Sequence, residues 1–289
     1  MIKIKSFAKI NLGLEVVRKR EDNYHDIRTL FQTIDFYDVL QFFPTSNSKI
    51  LLRGNDKNIP WGRENLIFKA AALLKERFGI SKGMEIRAEK NIPPGKGLGG
   101  GSSNAAMTLF ALNKIWELHL ERKELMELGK GLGADVPFFL EGGLCLGLDR
   151  GDNIIPLVDL DNIPCILALP SFSILTAQVY SQFRSSLTSE DKDSKIIRFL
   201  EDRKFGLLEN RLEETIFSLY PQLKVIRSLL RSQGSELSLV SGTGSAVFGL
   251  FRDRGEAEKC LAELRKSWPS LLIDTLSREQ YQRGISDGV

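Results

Sequence analysis

A glycine run placed directly before a helix-forming stretch constrains this chain more than any other feature. In Asn91-Ile92-Pro93-Pro94-Gly95-Lys96-Gly97-Leu98-Gly99-Gly100-Gly101-Ser102-Ser103-Asn104-Ala105-Ala106, five of the seven residues from Gly95 to Gly101 are glycine. Backbone of this kind reaches positive φ and lets another group come close to its amides. The Ser-Ser-Asn that follows, with an apolar-rich run to Trp116, predicts a helix beginning at the last glycines. Unpaired N–H groups and the positive end of a helix dipole make such a junction an anion cradle. Pro94, Gly95, Lys96, Gly97, Leu98, Gly99, Gly100, Gly101, Ser102, Ser103 and Asn104 are therefore the expected phosphate-binding residues. The two commonest phosphate loops do not fit. Gly95, Gly97 and Gly100 satisfy Gly-x-Gly-x-x-Gly, but Pro93-Pro94 stands where a dinucleotide fold runs its strand into the first glycine. Residues 109 to 120 read as helix where that fold needs a second strand ending in an acid. No Gly-x-x-x-x-Gly-Lys-Ser/Thr occurs.

The 289 residues suit one large or two ordinary domains. Forty basic residues against 37 acidic ones, mixed along the chain, leave a net charge of +3 and no footprint for nucleic acid or membrane. No apolar run approaches the roughly 18 residues of a membrane span, and the start lacks the pattern of a signal peptide. Cys145, Cys165 and Cys260 are far apart and set among apolar residues, as expected of reduced thiols in a cytoplasmic protein. With only His25 and His119, a zinc site is not expected.

Along the chain, residues 2 to 18 alternate as a bent or paired strand. Residues 27 to 34, 39 to 43, 49 to 53 and 84 to 90 read as further strands, with a helix over 65 to 78 closed by Gly79. Helices at about 101 to 117 and 121 to 131 follow the glycine loop. Strands are then expected at 144 to 148, 154 to 157 and 163 to 169. Ser185 to Ser194 reads as a linker or mobile loop. Residues 195 to 233 look helical, and a β, β, α, β pattern from 237 to 276 closes the chain. This is an α+β protein of two domains, 1–160 and 161–289.

Four short segments carry polar residues of chemical interest. Lys9 and Asn11 share one face of an otherwise apolar strand. Tyr24-His25 follows a polar turn. Asp135 stands in the glycine-flanked turn Gly131-Leu132-Gly133-Ala134-Asp135-Val136-Pro137, and Ser241-Gly242-Thr243-Gly244-Ser245 lies between two strands. Singly, each has an ordinary explanation: a snorkelling lysine, an Asx turn, a surface pair, a tight turn.

Taken in order with the glycine loop, however, these segments resemble the GHMP kinase superfamily of small-molecule kinases. Ala8-Lys9-Ile10-Asn11-Leu12, Tyr24-His25 and Thr29-Leu30-Phe31-Gln32 match its branch that acts on a cytidine diphosphate sugar alcohol. So do Gly97 through Ala106, Gly133-Ala134-Asp135-Val136-Pro137 and Ser241-Gly242-Thr243-Gly244. The resemblance spans residues 5 to about 251. It implies an N-terminal domain like ribosomal protein S5 domain 2 and a ferredoxin-like C-terminal domain. It also implies ATP and Mg²⁺, and phosphorylation of the 2-hydroxyl of 4-diphosphocytidyl-2-C-methyl-D-erythritol in non-mevalonate isoprenoid synthesis. Another small alcohol or sugar is the alternative acceptor. Asp135 is implied as the general base, with Lys9 as a cation beside the reacting hydroxyl. Asn11, Tyr24, His25 and Phe31 are implied at the substrate, with Thr176, Tyr180, Gly242 and Thr243 from the C-terminal half. Tyr180 is the candidate to stack on the base, or else an ordinary helix core residue. Ser103 is a possible Mg²⁺ ligand. Lys96, at a position usually glycine or alanine in the family, either adds charge near the phosphates or points into solvent, the second being preferred. A monomer or homodimer is expected.

Overall fold

Two long antiparallel strands carry the N-terminal half of the computed structural model, which describes residues 1–22, 24–160, 162–183 and 194–286. They are β1 (Ile2–Lys19) and β2 (His25–Thr45), buried along most of their length because Ile, Leu, Val and Phe dominate both faces. Sequence reading expects two strands within 27–43. They form one element, because Phe7 pairs with Tyr37 while Ala8 pairs with Ile34, and the extra residues of β2 bulge out between. A bulge bends a strand without ending it.

Then come β3 (Ile50–Gly54), α1 (Leu66–Arg77), β4 (Gly83–Glu89), α2 (Gly100–Ile115), α3 (Arg122–Lys130) and α4 (Val136–Glu141). The strands β5 (Leu144–Leu148) and β6 (Asn153–Pro156) complete a sheet of order β3-β4-β2-β5-β6, with β1 on β2. Asn65 caps α1 by accepting from the Ile67 N–H at 3.0 Å. The apolar face of α2 joins α1 and this sheet in one core that includes Leu40, Phe42, Ile86, Leu109 and Leu112.

The second half runs β7 (Pro164–Ala168), α5 (Thr176–Gln182), α6 (Lys195–Asp202), α7 (Glu213–Leu219), α8 (Pro221–Ser232) and β8 (Leu237–Val240). It ends with β9 (Val247–Leu250), α9 (Arg254–Leu264), β10 (Ser270–Asp274) and α10 (Arg278–Ser286). Its antiparallel sheet has the order β10-β7-β9-β8, the split arrangement that interleaves two helical crossovers with four strands. The expected loop at 185–194 lies outside the described residues except for Ser194, whose hydroxyl caps α6. The helix α10 returns to the first sheet. There Tyr281 donates its hydroxyl to the Phe139 carbonyl and its ring lies 5.5 Å from that of Phe7. Among the described residues no helix is long and apolar enough to cross a membrane.

Candidate active site

The glycine loop is shaped by close approaches that a side chain would block. Gly97 has φ +75° and passes so near the Ser241 carbonyl that a Cβ would sit 1.9 Å from its oxygen. Gly99, at φ +69°, is the N-cap of α2 without a side-chain cap, and its missing Cβ makes room for the Phe139 ring. Ser103 N makes the first intrahelical bond, to Gly99 O at 2.8 Å, so the N–H groups of Gly100, Gly101 and Ser102 stand ahead of the ladder. Residues 92 to 102 and Asn104 line a cavity of about 410 Å³ whose other wall is Asn58, Pro60, Trp61, Asn65 and Leu66. Sequence reading passes over that wall, because Trp61 lies in a loop without motif or period.

Three side chains of the loop are already engaged inside the protein, Lys96 against the expectation that it faces solvent. Asn104 donates both amide hydrogens internally, to Ser6 Oγ and Asp38 Oδ2, each at 2.9 Å, and accepts from Lys90 Nζ at 2.8 Å. It is a buried brace on α2 with both side-chain amide hydrogens already used. Ser103 is fully buried, with its hydroxyl 2.7 Å from that of Ser6, so it turns away from the cavity; Ser102 is the hydroxyl that lines it. Lys96 does not reach solvent. It is only 5 % exposed and donates to the carbonyls of Pro170, at 2.6 Å, and Phe172. Burial pushes its ammonium below the usual lysine range.

Lys9 and Asp135 meet beside the end of this loop. The Lys9 side chain comes off β1, is 4 % exposed, and carries its ammonium 3.5 Å from Asp135 Oδ2. It also donates to Asn11 Oδ1 at 2.6 Å and stands 5.2 Å above the Phe31 ring. Asn11 is fixed in turn, since its Nδ2 donates to Thr29 Oγ1 at 2.8 Å and Thr29 donates onward to Gly13 O. Asp135, at the start of α4, keeps about a third of its side chain exposed (32 %). Lys9, Asn11, Phe31 and Asp135 share a cavity of about 1160 Å³ with Tyr24, His25, Thr176, Tyr180, Gly242 and Thr243. Every residue expected at catalysis or at the acceptor thus borders one space.

At the far end of that space the aromatic residues lie against one another. His25 stacks on Tyr180 with centroids 5.1 Å apart and planes 24° from parallel. Tyr24 is 62 % exposed at the rim. Burial, then the charge of Lys19, lowers the His25 pKa; burial, then the charge of Asp135, raises that of Tyr180. The hydroxyls of Thr176 and Thr243 lie 3.1 Å apart, joining α5 to the turn after β8. Lys19, Lys130 and Arg150 also line the cavity and have no sequence signal beyond their charge.

That turn rests on two further residues that sequence reading misses. Asn210 donates to the carbonyls of Val240 (2.9 Å) and Gly242 (2.7 Å), and Glu213 Oε1 accepts from Val240 N at 2.8 Å. Only their burial in the fold distinguishes them from any other Asn and Glu. Burial outweighs the facing Arg227 and raises the Glu213 carboxyl to about 7. The folded state therefore binds the proton more tightly than the unfolded chain, so this group's contribution to stability is full below about pH 4.5 and declines as pH rises to about 7. Glu213→Gln should flatten that decline. Urea unfolding from pH 4.5 to 7.5 checks it, and equal slopes in both proteins would show the carboxyl to be unshifted.

Two family models match the chain. The model for the GHMP kinases N terminal domain matches residues 65–143, and that for the GHMP kinases C terminal matches 195–270. A 4-diphosphocytidyl-2-C-methyl-D-erythritol kinase from Syntrophus aciditrophicus is 44 % identical, over 92 % of this chain and 95 % of that one. The chain belongs to this family of GHMP kinases. It is accordingly a small-molecule phosphotransferase of a family that uses ATP, with the two-domain α+β GHMP kinase fold. A solved 4-(cytidine 5'-diphospho)-2C-methyl-D-erythritol kinase is 35 % identical and superposes with a TM-score of 0.80, over 94 % of this chain and 98 % of that one. The same fold holds a homoserine kinase from Cytophaga hutchinsonii, 18 % identical, at a TM-score of 0.77 over 96 % of this chain and 94 % of that one.

Proposed function

We propose that this GHMP kinase transfers the γ-phosphoryl group of ATP to the 2-hydroxyl of 4-diphosphocytidyl-2-C-methyl-D-erythritol, in the methylerythritol phosphate route to isoprenoids. One observation carries the reading. The Lys9–Asp135 pair, 3.5 Å apart, stands where the glycine loop meets a cavity bordered by Tyr24, His25, Thr176 and Tyr180. Gly97 and Gly99 border that cavity as well as the loop's own, so a donor phosphate held by the loop ends beside Asp135.

In this reading Asp135 accepts the proton of the attacking hydroxyl while Lys9 offsets charge on the transferred group. Phosphoryl transfer asks chiefly for alignment and electrostatics, which a buried lysine oriented by Asn11 and Thr29 supplies. The loop from Gly95 to Ser102 holds the donor, with Pro94 and Leu98 shaping it. Asn11, Phe31, Gly242 and Thr243 border the polyol and diphosphate, and Tyr24, His25 and Tyr180 the base. Mg²⁺ binds mainly through phosphate and water oxygens and needs few protein ligands. The loop fits it: Ser102 Oγ lies 3.7 Å from where a Gly133 Cβ would be, and offers an oxygen between the cradle and the Asp135 turn. When bound, the ion neutralises charge on the transferring group. The same reading takes the chain as cytoplasmic, divided near 160/161, and a monomer or homodimer.

The direct test is formation of the phosphorylated product from ATP and the cytidine diphosphate sugar alcohol by purified protein. A binding test separates this acceptor from other small alcohols. CDP at about a hundredfold excess over its Kd should raise Tm by roughly 5 °C. No shift with millimolar CDP would move the assignment to a different acceptor.

A further inference from the structure

Among the described residues the cation buried in the glycine loop has no carboxylate partner, and the elements it touches lead away from the donor. Lys96 Nζ donates to Pro170 O and Phe172 O, on the segment between β7 and α5. Two more bonds join the same two segments, with Ser173 Oγ donating to Pro94 O at 3.1 Å and Ile174 N to Gly95 O at 3.3 Å. The 170–174 segment is itself fixed to α5. The Phe172 ring stacks on that of Tyr220 at 5.3 Å and 10°, and the Tyr220 hydroxyl donates to Gln178 Oε1 at 3.1 Å. Two residues past Ile174 come Thr176 and then Tyr180, both bordering the larger cavity.

We infer that Lys96 is a positioning residue for the acceptor, although it lies in the donor loop. Through the strap 170–174 it holds α5, with Thr176 and Tyr180, at a fixed distance from the glycine loop. The inference rests on the proposed assignment of the loop to ATP and of α5 to the acceptor. A buried ammonium suits the task. Its tetrahedral donors reach two carbonyls at once, and charge-assisted bonds to carbonyls are stronger than neutral ones. Electrostatic service to the donor phosphates alone would need no contact with Pro170 or Phe172.

The experiment compares wild type with Lys96→Met, Lys96→Gln and Ser173→Ala in two measurements. Amide hydrogen exchange is followed in the ligand-free protein, and Kd is measured for CDP and for a non-hydrolysable ATP analogue. In Lys96→Met, exchange across Gln178 to Tyr180 should speed up while α9 stays unchanged, and CDP should bind about tenfold more weakly, the scale of one lost charge-assisted bond. Lys96→Gln, which keeps a neutral donor, should recover part of both effects, and it stands in if the methionine variant fails to fold. Ser173→Ala should act in the same direction and less than additively with Lys96→Met. Unchanged exchange in α5 overturns the inference, and so does faster exchange with unaltered CDP affinity. Weaker binding of the ATP analogue alone would assign Lys96 to the donor instead. Failure of CDP to bind the wild type refutes the acceptor assignment, and the exchange result then decides the strap by itself.

Discussion

Asp135→Asn is expected to lower kcat by roughly 10³-fold while ATP affinity stays within about twofold, because general-base catalysis is worth on the order of 10²–10⁴. Asparagine keeps the size and one oxygen of the side chain but accepts no proton at neutral pH. Its effect on folding should be small. The carboxylate is 32 % exposed, and Lys9 keeps its 2.6 Å bond to Asn11 when the Asp135 charge is gone. Single-turnover transfer with labelled ATP, set beside equilibrium ATP binding, separates chemistry from donor affinity. Turnover within about threefold of wild type would remove Asp135 from the role of base, since even modest base catalysis exceeds that factor.

Gly97→Ala should be the most damaging glycine-to-alanine change among the described residues. The added Cβ would lie 1.9 Å from the Ser241 carbonyl oxygen and 3.3 Å from Gly244 N, at a φ of +75°. Backbone on both sides leaves nothing flexible to move, so the loop and the turn after β8 must part. The expected cost is about 3 kcal/mol of stability or more, from left-handed strain plus the clash. A displacement near 1 Å at the phosphate cradle adds roughly a hundredfold loss in kcat/KM. Gly101→Ala is the control, because its Cβ would meet only Leu66 Cδ1, at 3.6 Å, on regular helix. It should gain about 0.5–1 kcal/mol. Urea unfolding of both variants checks the contrast, and a Gly97→Ala protein as stable as wild type would show the loop to be slack.

Local chemistry made much of this legible beforehand. The glycine loop, the helix after it and the shared face of Lys9 and Asn11 are statements about neighbours in sequence, and short-range rules govern them. Both sheets follow from alternation and apolar runs. What escaped depends on distant partners. The division expected within β2 follows from its polar residues near Asp35, whereas pairing with β1 carries the strand through as a bulge. Lys96 reads as solvent-facing until Pro170 and Phe172, more than seventy residues on, supply its acceptors. Asn104 looks like a donor to phosphate until Ser6 and Asp38 claim its amide. The helices α4 and α10, of six and nine residues, are too short for their period to stand out.

The return of α10 to the first sheet alters what the two halves are. Thr275 bridges to Ile34, Leu276 N donates to Thr33 O, and Arg278 pairs with Glu141, so the chain's last turns belong to the body that β1 begins. The second sheet is therefore tied to the first at two places, after β6 and after β10, and not by a single tether. Two covalent crossings side by side, with Pro164 paired to Asp274, resist a swinging hinge between the two sheets. A shortened chain ending at Asp274 would break open the first unit, not trim the second.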